Sequence, residues 1–106
     1  MNESLSGIFP QLRARFQDLF GAELQQLVLF GSRARGDAEP DADIDLLVVL
    51  KSEAAIGQYR EFANDIICEL SLKYDAVVSC VFTTSAQFKQ SGMPFYRNVR
   101  REGVPL

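Results

Sequence analysis

The longest unbroken apolar run in this sequence is Leu46–Leu50, and a run that short decides much of what the chain can build. A membrane span needs about 20 consecutive apolar residues, so no transmembrane helix is expected. Five residues rich in Leu and Val, reached through Ile44 and ended by Lys51 and Ser52, read instead as a strand over Ile44–Leu50. The rest of the fold has to cover it.

The other segments supply that cover. Ile8, Phe9, Leu12, Phe16, Leu19 and Phe20 recur at three- and four-residue spacing with Arg13, Arg15 and Asp18 between them, which predicts an amphipathic helix closing near Gly21. Leu27–Phe30 is a short apolar run that stops at Gly31-Ser32, as a buried strand ends in a turn. From Gly31 to Asp43 the composition is that of a loop, with one helical turn expected around Ser32–Arg35. Ser52 is placed to cap a long helix running to about Lys73, with Ile56, Tyr59, Phe62, Ile66 and Leu70 on one face.

Ala76–Phe82 predicts a third strand, and Thr84 with Gln87 resembles a capping box for a short helix. A last helix is expected from near Pro94 to Gly103. The order helix, strand, loop, strand, helix, strand, helix, helix predicts an α/β (α+β) fold, a small mixed sheet covered on one face by helices. With 106 residues, 47% of them apolar, residues 1–106 are expected to form one domain around one core.

Charge and residue usage exclude several classes. The formal net charge is −3 and the 14 acidic residues form no long tail, which argues against tight nonspecific nucleic-acid binding. Met1-Asn2-Glu3-Ser4 has neither the positive flank nor the apolar run of a secretory signal, so the chain reads as cytoplasmic. Cys68 and Cys80 are not spaced as a metal knuckle or redox pair and read as small buried thiols. The chain contains no histidine, so its chemistry must rest on carboxylates, hydroxyls and bound ions.

Two signals in the central loop carry that chemistry. Gly31-Ser32 opens a helical turn, where unpaired backbone N–H groups and a hydroxyl favour an anionic oxygen; an ordinary strand-to-helix turn is the plainer alternative. Asp43 and Asp45, two apart on a predicted strand, leave the same face while Ile44 and Leu46 point to the other. Like charges held that close repel unless a cation relieves them, and magnesium prefers oxygen ligands; a solvated acidic loop with Asp41 is the alternative. Arg33 and Arg35 can offer forked bonds to phosphate oxygens, or pair with Asp37, Glu39 or Asp41.

Joined at this interval, the segment GSRARGDAEPDADIDLLVVL resembles the signature of the polymerase-beta-like nucleotidyltransferases, in which Gly-Ser precedes Asp-x-Asp at a fixed distance. The short length and the Arg35-Gly36 continuation are most similar to the minimal nucleotidyltransferases, over about residues 10–90. The resemblance implies that Gly31 and Ser32 contact ATP, where the chemistry of Arg33 and Arg35 makes them candidate nucleotide ligands too, and that Asp43 and Asp45 are the catalytic residues and bind two Mg2+ ions. It further implies an antitoxin that transfers AMP to a hydroxyl of a partner protein, a tyrosine of a HEPN toxin.

The pattern departs from the family at one place. Active members usually carry a third carboxylate on the next strand, and the position that aligns with it is Ser79, with Asp75 four residues earlier as a substitute if the strand extends that far, or more ordinarily as a turn residue. A module that binds and blocks a toxin without turnover is therefore the alternative to the enzyme. Arg97, Arg100 and Arg101 gather on one side of the last helix, either as solvated surface or as a docking patch for an acidic partner or the nucleotide. Antibiotic nucleotidylation fits the motif and not the length, which leaves no room for a separate substrate-binding domain.

Overall fold

The computed structural model describes residues 4–106; the Met1–Glu3 segment, read above for a missing secretory signal, lies outside the described residues. Helix α1 spans Ile8–Phe20, and Ile8, Leu12, Phe16 and Phe20, four residues apart, are buried. Phe9 and Leu19 pack only partly against the core, one helical step off that stripe. Gly21, at φ 56°, closes the helix with its N–H on the Gln17 carbonyl.

Strand β1 covers Leu24–Phe30, three residues longer at its start than its apolar run suggested. Those extra residues are held by β2, Ile44–Leu50, which pairs antiparallel with β1 from Leu24↔Leu50 to Phe30↔Asp45. Helix α3, Glu53–Tyr74, starts as expected, with the Ser52 hydroxyl accepting from the Ala55 N–H. Its buried stripe runs through Ala55, Ala63, Ile66, Ile67, Leu70 and Tyr74. Phe62, expected on that stripe, is 58% exposed, because its smaller neighbour Ala63 takes the place against the sheet.

The C-cap residue Asp75 sits in the left-handed region at φ 51°, ψ 53°, and Ala76 N–H bonds back to the Ser71 carbonyl. That reversal delays strand β3 to Val78–Thr84, two residues later than the sequence suggested at each end. β3 lies parallel to β2, with α3 as the crossover. Thr84 caps α4, Ser85–Gln90, through the Gln87 N–H, and α5 follows over Pro94–Glu102.

Two features correct the expected layering. Val28, Leu47 and Val49 form a second cluster with Phe88 of α4 and Val99 of α5, so helices cover both faces of the sheet rather than one. The reason lies in β2, where both pleat faces from Leu46 to Leu50 are apolar and both need cover. The chain then turns at Gly103 and adds β4, Val104–Pro105, against Val28 and Leu29, giving the order β3-β2-β1-β4. Two residues carry no periodic signal, and this strand was not expected. Cys80 is largely buried as read, whereas Cys68 is exposed on the outer side of α3. No helix among the described residues is long and apolar enough to cross a membrane.

Candidate active site

Strand alternation sorts β2 into two sets. Ile44, Leu46, Val48 and Leu50 face the α1/α3 core, so Asp45 falls on the opposite face with Leu47 and Val49. Asp45 stands across from Phe30, the last residue of β1, and the chain then turns through Gly31 into α2, Ser32–Arg35. Gly31 holds φ 77°, ψ −157°, a combination open essentially to glycine alone. A Cβ at Gly31 would collide with the Asp45 carboxylate. The glycine is thus required twice, for its backbone and for the space that Asp45 fills.

Helix α2 is one turn long. The N–H groups of Ala34 and Arg35 bond to the Gly31 carbonyl at 3.1 and 3.2 Å, which leaves those of Ser32 and Arg33 at the open helix start. Gly36, at φ 81°, ψ 12°, ends the turn, and Asp37 N–H returns to the Ser32 carbonyl. The chain then loops through residues 37–43 to β2. Asp43 lies one residue before the strand rather than on it, and is exposed where Asp45 is half-buried.

Asp45 has its carboxyl raised above the ordinary 3.8, first by burial and then by repulsion from Asp43. Asp43 is thus near enough to disfavour the Asp45 anion, a repulsion that a bound cation would relieve. Two carboxylates are a fitting donor set for Mg2+, which is commonly held by one or two carboxylates plus substrate phosphates. Among the described residues no group of three or more acids, cysteines or histidines is placed to hold a metal ion.

The position beside Asp45 explains why. In the parallel register Asp45 faces Ser79, so the residue aligned with a third acid does sit next to the pair, as an exposed serine. Asp75 cannot replace it, because it caps α3 in a left-handed conformation three residues before β3 begins. It lines instead a cleft of about 500 Å³ with Arg33, Asp41, Ala42 and Ser71, to which neither Gly31 nor Asp45 contributes.

The arginines divide. Arg33 donates from Nε and Nη2 to the Ala42 carbonyl at 3.0 and 2.7 Å, and from Nη2 to the Pro40 carbonyl at 3.2 Å. Arg35 pairs with Asp37 at 3.3 Å and with Glu102 at 3.7 Å, all three partly exposed. Of the basic cluster on α5, Arg100 donates to the carbonyls of Phe88 and Ser91 at 2.6 and 2.8 Å and so ties α5 to the end of α4. Arg101 reaches Asn98 and Glu102 on its own helix.

Sequence reasoning missed the residues that α5 brings to the Gly31 turn. Phe30, Phe95, Asn98, Val99 and Glu102 join Gly31 and Arg35 around a cavity of about 190 Å³, with Phe95 edge-on to Phe30 at 5.4 Å. No local signal marks them, since they meet the motif only through the tertiary fold.

Comparison with known proteins gives a consistent result. The model of the nucleotidyltransferase domain family matches residues 10–103. A relative from Methanocaldococcus jannaschii, whose name assigns it to the protein adenylyltransferases, is 32% identical over 88 residues, 82% of either chain. A second from the same organism, named likewise, is 29% identical over 72 residues, 68% of this chain and 72% of its own. Among solved structures, a minimal nucleotidyltransferase aligns with TM-score 0.62 at 23% identity, over 100% of this chain and 97% of its own. A toxin–antitoxin crystallised with AMP-PNP aligns with TM-score 0.59 at 19% identity, over 96% of this chain and 72% of its own.

Proposed function

Since the chain belongs to the nucleotidyltransferase domain family, we propose that it transfers AMP from ATP to a hydroxyl of a partner protein, using Mg2+ held by Asp43 and Asp45. The observation that carries this reading is the contact between the two halves of the motif. The Asp45 carboxylate occupies the space where a Cβ of residue 31 would stand, so a phosphate held at the start of α2 would lie beside the residue that would hold the cation.

Each residue has a distinct task. The Ser32 hydroxyl and the first N–H groups of α2 hold phosphate oxygens, and Gly31 leaves the approach open. Arg35, held by partly exposed carboxylates, is the guanidinium best placed to exchange them for a phosphate. Bound Mg2+ supplies charge neutralisation of the triphosphate and of the leaving pyrophosphate. The acceptor oxygen forms a bond to the α-phosphorus as the bond to pyrophosphate breaks, and the hydroxyl proton passes to solvent because Ser79 is no base.

The partner is the finer part of the proposal. The relatives' names point to a protein acceptor and one structural neighbour is a toxin–antitoxin assembly, which supports a toxin as the partner; that it is a HEPN toxin modified on a tyrosine is what the resemblance to the minimal nucleotidyltransferases implies. A compact domain of this kind acts in the cytoplasm, where ATP and Mg2+ are available. A second reading is supported by Ser79: a fold that binds nucleotide and partner, and blocks the toxin with little turnover.

Incubation with α-labelled ATP, Mg2+ and the protein encoded next to it separates these readings. Label is expected on the partner and absent with Asp43→Asn or Asp45→Asn. Label that persists in those variants removes the metal assignment, and copurification without label favours the binding module.

A further inference from the structure

Arg33 is the second residue of α2, yet its guanidinium is spent nine residues away. Nε and Nη2 converge on the Ala42 carbonyl at 3.0 and 2.7 Å, and Nη2 also reaches the Pro40 carbonyl at 3.2 Å. Two N–H groups on one edge of a planar cation can share one oxygen in this way, and an ammonium cannot. Ala42 directly precedes Asp43. The segment bridged, Asp37-Ala38-Glu39-Pro40-Asp41-Ala42, contains no large apolar side chain to anchor it in the core, and three of its six residues are acids that repel Asp43. A polar tether is what such a segment requires.

We infer that Arg33 is a positioning residue that clamps the 37–43 loop and thereby sets Asp43 against the Gly31-Ser32 turn, rather than a contact for the triphosphate. Because α2 starts at that turn, one side chain joins the phosphate-binding and metal-binding halves of the motif. The Arg33 and Arg35 pair thus splits by task, the first bonded to the backbone carbonyls at the end of the loop and the second ion-paired with the side chains of Asp37, at its start, and Glu102. The inference rests on the reading that Asp43 holds Mg2+ only for its functional consequence; the clamp itself is a property of the nucleotide-free protein.

The test uses the nucleotide-free full chain with Arg33→Lys, Arg33→Gln and, as the control, Arg35→Lys. Amide hydrogen exchange over residues 38–43 is expected to quicken about tenfold in both Arg33 variants, the loss of charge-assisted bonds to backbone, and to stay unchanged in Arg35→Lys, where an ammonium can keep the ion pair with the Asp37 side chain. Mn2+ binding without ATP should weaken about tenfold in Arg33→Lys, as when an outer-shell support is lost, and kcat should fall while KM for ATP holds. Wild-type exchange and wild-type Mn2+ affinity in Arg33→Lys, with only KM for ATP raised in Arg33→Gln, would make Arg33 a phosphate contact and overturn the inference. If the wild type itself binds no Mn2+, the metal reading fails, and the exchange measurement still decides the clamp.

Discussion

Replacing Gly31 by alanine should damage this protein far more than replacing Gly36, although both glycines have positive φ. Gly36 is in the ordinary left-handed region, and a Cβ there would meet nothing within 4 Å. Its cost is the left-handed strain, about 1–2 kcal/mol, offset by about 0.4–1 kcal/mol from a stiffer unfolded chain, so roughly 1 kcal/mol remains. Gly31, at φ 77°, ψ −157°, carries about 1–3 kcal/mol of strain for any other residue. Its Cβ would also strike the Asp45 carboxylate, and displacing a packed group costs about 1–3 kcal/mol more. The expected total is about 3 kcal/mol, or a melting point lower by roughly 12–24 °C, against roughly 4–8 °C for Gly36→Ala. The assay is thermal unfolding of the metal-free protein, run as a double-mutant cycle with Asp45→Ala. In that background the carboxylate atoms are gone and the residue-45 Cβ stays 3.5 Å from the new methyl group, an ordinary contact, so the collision part of the cost should vanish. Equal losses for the two glycines, or a Gly31→Ala cost unchanged by Asp45→Ala, would refute the argument that the turn is shaped around this carboxylate.

Other outcomes follow from the same site. Asp45→Asn should raise the melting point of the metal-free protein at neutral pH while removing AMP transfer. The folded carboxyl titrates above the unfolded 3.8, so its ionisation weakens the fold as pH rises through the raised value; the gain over wild type should open on going from below pH 3.8 to pH 7. Ser79→Asp places a third carboxylate beside Asp45 and should tighten Mn2+ binding roughly tenfold or more, read by titration, and lower the stability of the metal-free form; unchanged affinity would show that residue 79 does not reach the ion. With a thiol reagent at pH 8, Cys68 should react promptly and Cys80 only on unfolding, because burial pushes the Cys80 thiol up to about 12; two fast thiols would contradict that.

Much of this molecule was legible in the sequence because its signals are local. The four-residue spacing of Ile8, Leu12, Phe16 and Phe20, the caps at Ser52 and Thr84, the turn Ser32–Arg35 and the run Ile44–Leu50 each depend on neighbours in the chain, and each is found where it was read. At the candidate site Gly31 and Asp45 were joined by spacing alone, and the fold leaves so little room between them that a Cβ at Gly31 would collide with the Asp45 carboxylate. What the sequence could not decide are the matters that depend on distant partners. Which helices cover the second face of β2, that Val104–Pro105 returns to β1, and that Ala63 rather than Phe62 meets the sheet are settled by packing. Tertiary structure also placed Ser79 beside Asp45, removed Asp75 from β3, and turned Arg33 onto Ala42 and Arg35 toward Glu102. An arginine's residue type states which groups it can bind, and only the folded chain determines which of them lie within reach.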